Sequence, residues 1–191
     1  MAIVYSNMME LGTKAPDFTL LDTVSDETIS LQDLKSDNAT VVMFICNHCP
    51  FVVHINPRLA ETAKTYKKKG VQFIAISSND ADRHPLDAPD HMAIHAKKEG
   101  YTFPYLYDET QEVGKAYGAE CTPDFFVFDG ELNCTYRGRF DATRPGSGAA
   151  NGQDLKNALD AMLTRKEVSE FQSPSMGCNI KWKQTDIDEL I

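Results

Sequence analysis

Two kinds of apolar pattern alternate along this chain. The segments "TVVMFIC" (residues 40–46) and "VQFIAISSN" (71–79) are continuous β-branched and apolar runs, the pattern of strands buried on both faces. Between them the period changes. Val52, Ile55, Leu59, Ala63 and Tyr66 recur at helical spacing, Lys67–Lys69 add positive charge at the end, and Gly70 offers a stop; this predicts a helix from Pro50, kinked at Pro57. Two short strands come first, in "APDFTLLD" (15–22) and "ETISLQDL" (27–34). Downstream, a two-proline loop "DADRHPLDAPD" leads to a helix in "HMAIHAKKEG" closed by Gly100. A strand "FPYLYD", a short helix "TQEVGKAYG" and a strand "DFFVFD" come next. The Asp129–Gly130 pair then predicts a hairpin turn into "ELNCTYRGRF". After a loop, "QDLKNALDAMLTRK" (153–166) reads as the last long helix, and the tail "SPSMGCNIKWK" (173–183) has no clear period. The order strand–helix–strand–helix–strand–hairpin–helix predicts an α/β fold with a mixed central sheet flanked by helices.

Size and charge narrow the classes. A chain of 191 residues with 42% hydrophobic content supports one well-buried core, so residues 1–191 are expected to form one domain. A formal net charge of −9 argues against a nucleic-acid partner. No stretch approaches the ~20 apolar residues of a membrane helix, so no membrane partner is expected. The start "MAIVYSNMMELGTKAPDFTL" reads as no secretory leader, and the expected location is the cytoplasm, where thiols stay mostly reduced.

Five cysteines, at 46, 49, 121, 134 and 178, make a poor framework of structural disulfides. Cys46 and Cys49 are three apart at a strand-to-helix junction, a stronger signal for redox chemistry than the spacing alone. If Cys46 stands where the helix begins, the free N–H groups and positive end of the helix favour its thiolate. Cys46 is then expected to attack, and Cys49, one turn deeper, to resolve the mixed disulfide. His48 would add positive charge between them, and Asn47 would offer a hydrogen bond. No cofactor is required.

At these motifs the chain resembles the thioredoxin superfamily, within it the redoxin branch of alkyl hydroperoxide reductase and thiol-specific antioxidant proteins. The stretches that carry the resemblance are "LGTKAPDFTL", "VVMFICNHCP" and "CTPDFFVFDGELNCTYRGRFD", spanning about residues 11–163. The tail, about 170–191, resembles that of a peroxiredoxin-like subgroup with a CxxC motif. The resemblance implies a thioredoxin fold with an N-terminal strand extension and a C-terminal tail. It also implies that Pro123 is a cis-proline beside the cysteine pair, with Thr122 shaping the substrate face. Pro50 after Cys49 is similar to the residue after the peroxide-attacking cysteine of peroxiredoxins. Aligned that way, however, Cys46 takes the place of their Thr/Ser and Val42 that of their Pro. "CTP" stands where their arginine belongs, leaving Arg137 and Arg139 as substitutes that read as exposed hairpin residues. Against thioredoxins, Ile45 replaces the aromatic before the first cysteine and Thr40 the buried aspartate.

The remaining candidates are weaker. Cys121 would lie near the pair if Pro123 is cis, and Cys178 would serve as a second resolving thiol if the tail folds back. Cys134 reads as packing. His54 could join Cys46, Cys49 and His48 around a metal, but zinc usually takes four ligands and no second tight pair is present. His91 and His95 share a helix face, and His84 lies in the preceding loop. "TRPGSGAANG" lacks the ending of a phosphate loop. The leading expectation is a thiol–disulfide oxidoreductase cycling Cys46–Cys49. Its partners would be a disulfide-bearing protein or small thiol, and a cellular thiol reductant. The alternatives are a thiol peroxidase acting on peroxide through Cys49, and a metal-binding module.

Overall fold

The computed structural model describes residues 3–184; positions 1–2 and 185–191 of the expected domain and tail lie outside the described residues. The centre is β4 (Ala39–Phe44), all six residues of which are buried. It pairs in parallel with β5 (Val71–Ser77) and antiparallel with β8 (Asp124–Phe128). Beyond β5 the sheet continues through β6 (Tyr105–Tyr107), β2 (Thr19–Asp22) and β3 (Glu27–Ser30), and beyond β8 through β9 (Cys134–Gly138). This is the mixed sheet of the expected thioredoxin fold.

Because successive side chains of a strand point to opposite faces, the central strands build two cores at once. Val41, Met43, Phe73, Ala75, Phe125 and Val127 face one side. There they pack on α2 (Pro50–Lys67), α3 (Pro89–Glu99) and α5 (Gln153–Leu163). Val42, Phe44, Ile74, Ile76, Phe126 and Phe128 face the other. On that side Tyr117, from α4 (Glu112–Tyr117), meets the rings of Phe44, Phe126 and Phe128 edge-on at 5.5–6.0 Å between centroids, a favoured geometry.

The helix expected from Pro50 is present, with Pro57 inside it, and ends at Lys67. Other expectations are revised. The connection after β8 is longer than a two-residue turn: Asp129 accepts from the Asn133 backbone, and Leu132 takes the positive φ of 64°. The tail, aperiodic in sequence, contains β10 (Met176–Asn179). β10 lies between β1 (Ile3–Tyr5) and β7 (Cys121–Thr122), antiparallel to both, in a second sheet. Periodicity missed it because a four-residue strand carries too little pattern, and its burial comes from strands far away in the chain, β1 near the N-terminus and β7 at Cys121–Thr122. The Arg137 and Arg139 side chains are half-buried rather than exposed, on Gln172 and Asp154.

Phe126 reaches Phe44 and Tyr117 in the second core and is fully buried. Phe126→Ala should lower the unfolding free energy by ~3–5 kcal/mol. Urea denaturation measures this; a loss below ~1 kcal/mol would show that the second core repacks around the gap.

Candidate functional site

The polypeptide leaves β4 at Phe44, extends one more sheet bond from the Ile45 amide to the Ile76 carbonyl at 3.0 Å, and turns through residues 46–49. The helix begins later than the sequence suggests. Cys49 is the N-cap of α2 and Pro50 its first residue, a position that suits proline because no partner is needed for the missing N–H. Cys46 therefore precedes the helix, and it is Cys49 that stands at its N-terminus.

The Thr122–Pro123 peptide is cis, as implied by the resemblance. It brings both atoms of Thr122 to the pair: its carbonyl oxygen lies 3.1 Å from Cys49 Sγ and its Oγ1 3.4 Å from Cys46 Sγ. β10 closes the site from the third side, with Cys178 Sγ 2.6 Å from Cys49 Sγ. Three thiols thus meet under the cis-proline, all of them buried. Cys121 is buried alongside, and burial pushes its thiol far up. Cys134 packs in the second core, as expected.

The charge on this cluster is unequally shared. Hydrogen bonding from Cys46 is the largest influence holding Cys49 down, to about 5. Burial opposes this, and Cys178 and the Val52 and Cys178 backbone groups reinforce it. The Thr122 carbonyl is an acceptor for the protonated sulfur and also opposes ionisation. Cys46 is pushed well above the ordinary range, first because its proton is engaged by Cys49, then by burial and the Asp87 charge. Burial and the neighbouring Cys49 push Cys178 up to about 12, while Lys181 pulls it down. Of the three, Cys49 is the sulfur whose surroundings favour the thiolate, and those of Cys46 and Cys178 favour the thiol.

A polar scaffold backs the loop. Fully buried Asp87 accepts from the Asn47 amide at 2.9 Å and from Asn79 Nδ2 at 2.8 Å, and its Oδ2 lies 2.9 Å from His48 Nδ1. Burial works against the Asp87 carboxylate, but these partners hold it below its usual value. His48 in turn is raised, chiefly by Asp87. The His84 ring stacks on His48 with centroids 5.8 Å apart. The Asn47 side chain ties to the Leu86 carbonyl at 2.6 Å and to Tyr105 Oη at 3.1 Å. Asn47 and His48 thus fix the loop between the cysteines. Asp87 was missed because nothing in "PLDAPD" marks a partner for a residue 40 positions earlier, and Asn79 because its partner is that same Asp87.

Cys46, His48 and Asp87 bring ligand-type atoms within 4.8 Å of one another. Asp87 Oδ1 is taken by the Asn47 amide and Oδ2 by Asn79 Nδ2, with His48 Nδ1 2.9 Å from Oδ2. His54, the other candidate ligand, points instead to Thr143 Oγ1 at 2.8 Å. His95 meets Asn56, and His91 the Pro85 carbonyl.

With this geometry in view, relatives are informative. The sequence model of the AhpC/TSA family matches residues 11–137. The chain belongs to the AhpC/TSA family. Its match covers the cysteine loop, the cis-proline and most of the hairpin, and ends before β10. The chain is 53% identical to an uncharacterized conserved protein from Geobacillus kaustophilus, with 97% of this chain and 98% of that one covered and a TM-score of 0.95. It is 29% identical over 121 residues to the thiol-disulfide oxidoreductase ResA of Bacillus anthracis, and 29% over 107 residues to the chloroplastic peroxiredoxin Q of Triticum aestivum. These matches cover 63% and 56% of this chain, and 65% and 45% of those relatives' lengths.

The His48–Asp87 pair gives this AhpC/TSA member a pH signature. Because folding raises the His48 value, the pair's contribution to stability is complete below the unfolded value of ~6.5 and is lost as pH rises through the folded value. Asp87→Asn should bring the His48 ring titration down towards ~6.5, read from its ring-proton shifts by NMR. An unchanged midpoint would show that Asp87 does not set the imidazole's charge.

Proposed function

We propose that the chain is a thiol–disulfide oxidoreductase whose attacking group is the Cys49 thiolate. This exchanges the roles expected from sequence. The carrying observation is the position of Cys49 at the N-cap of α2, with its value held near 5 and two protonated thiols beside it. A thiolate attacks a disulfide sulfur and leaves a mixed disulfide, so Cys49 would take one half of the substrate disulfide and release the other as thiolate. A second thiol of the cluster then attacks Cys49, closes an internal disulfide and frees the product. Cys46 is the partner expected from the motif. Thr122 and Pro123 form the wall against which the substrate sulfurs lie. Substrates are disulfides on a protein or small thiol, and a cellular thiol reductant restores the dithiol state.

The kinship with ResA supports disulfide exchange. The kinship with peroxiredoxin Q gives less support to peroxide chemistry, because the two arginines considered as substitutes from the sequence are engaged elsewhere. Arg137 bonds Gln172 Oε1 at 2.8 Å and Arg139 bonds Asp154 at 2.6 Å. A metal-binding role is weaker still, given the occupied oxygens of Asp87.

Reduction of insulin by the dithiol-recycled protein tests the assignment. Cys49→Ser should fall to the uncatalysed rate, whereas Cys46→Ser should still form a mixed disulfide on Cys49 when mixed with a model disulfide. Retained reduction by Cys49→Ser, with the adduct found on Cys46, would return the attacking role to Cys46.

A further inference from the structure

β10 lies where it does for a reason visible in its own sequence. Gly177 packs face-on against the cis peptide: a Cβ there would stand 2.0 Å from the Thr122 carbonyl oxygen and 2.7 Å from its carbon. Any side chain would lift the strand off. With glycine in place, Cys178 pairs in register with Thr122 and Asn179 with Cys121. The Ile180 amide continues the contact, donating to the Glu120 carbonyl at 3.0 Å. On its other edge β10 is held by Ile3–Tyr5, and Ser6 and Ser175 exchange two bonds at 3.0 and 2.8 Å. Farther on, Lys181 is fixed by Asn79 and Gln111. The strand is anchored on both sides of Cys178, and the sulfur is delivered to Cys49.

We propose that Cys178, not Cys46, is the thiol that resolves the mixed disulfide on Cys49, so that the oxidised protein carries a Cys49–Cys178 bridge. This rests on Cys49 being the attacking sulfur. Cys49 displaces one thiolate from a substrate disulfide and forms a Cys49–substrate bond. The Cys178 thiol passes its proton to that departing thiolate. Its sulfur then attacks Cys49, forming the Cys49–Cys178 bond as the Cys49–substrate bond breaks and the second thiolate leaves. The substrate gains two electrons and the two protein thiols lose two.

Charge favours Cys178 over Cys46 in the second step. In the resting state the Cys49 anion suppresses ionisation of both neighbours. Once Cys49 is bonded, that repulsion is gone. Cys46 still faces the buried Asp87 carboxylate, whereas Cys178 has the Lys181 ammonium near it. Cys46 is left as a proton donor to the Cys49 sulfur and a partner of Thr122 Oγ1. Gly177 is the positioning residue: it acts by letting Cys178 approach.

The test mixes reduced protein with oxidised glutathione, quenches in acid, and maps disulfides by mass spectrometry without reduction. Wild type should show a Cys49–Cys178 link as its main internal disulfide, and Cys46→Ser should show it too. Cys178→Ser should accumulate the Cys49–glutathione adduct and release it at least ~10-fold more slowly. Gly177→Val, with all thiols present, should slow release in the same direction. A predominant Cys46–Cys49 link, or release from Cys178→Ser at the wild-type rate, overturns the proposal while leaving Cys49 as the attacking sulfur. Absence of any Cys49 adduct overturns the attacking role as well.

Discussion

The sulfur of Cys49 sits at the N-terminus of an 18-residue helix, and its neighbours favour the thiolate although the side chain is fully buried. A buried anion is costly unless donors surround it. Here Cys46 and Cys178 contribute thiol donors, and the first turn of α2 contributes the Val52 amide. The arrangement is economical because donors and reactants are the same groups. A sulfur that stabilises the anion in the resting state is also placed to displace its adduct afterwards.

Three separate parts of the chain must therefore meet within a few ångströms. β4 and α2 bring the cysteine loop, the cis Thr122–Pro123 peptide brings the Thr122 carbonyl and hydroxyl, and β10 brings the third thiol. The central sheet fixes the first two relative to each other, since β4 and β8 are adjacent strands with Phe44 opposite Asp124. The third depends on the second sheet, where β1 and β7 hold β10 from either side. Asp87 does corresponding work behind the loop, drawing Asn47, His48 and Asn79 onto one carboxylate.

The frame was readable in the sequence because it is built from long, regular signals. The six-residue run of β4, the helical spacing from Val52 to Tyr66 and the strand "DFFVFD" each occupy the element expected. The motif around Cys46 and Cys49 likewise marked the site, and "CTP" marked its cis-proline. Finer assignment failed by a few residues with chemical consequences. Whether the helix starts at Cys46 or after Cys49 decides which sulfur is ionised, and element boundaries are what pattern reasoning fixes least well. Asp87 and β10 were out of reach for another reason: each acts through contacts across long sequence separations, 40 residues from Asn47 to Asp87 and 129 from Cys49 to Cys178. A lone aspartate in a proline loop carries no local sign of such partners; for the tail, the sequence suggested a fold-back that would bring Cys178 to the pair, but not the strand that carries it.

The central claim is that the resting protein holds its negative charge on Cys49. The most direct measurement is the ultraviolet absorbance of thiolate during a pH titration of the reduced protein, recorded as the difference between wild type and Cys49→Ser. The account predicts one thiolate appearing with a midpoint near pH 5 and absent from the variant. A midpoint near ~8.5, the value of an ordinary cysteine, or a low-pH thiolate that survives the loss of Cys49, would contradict it.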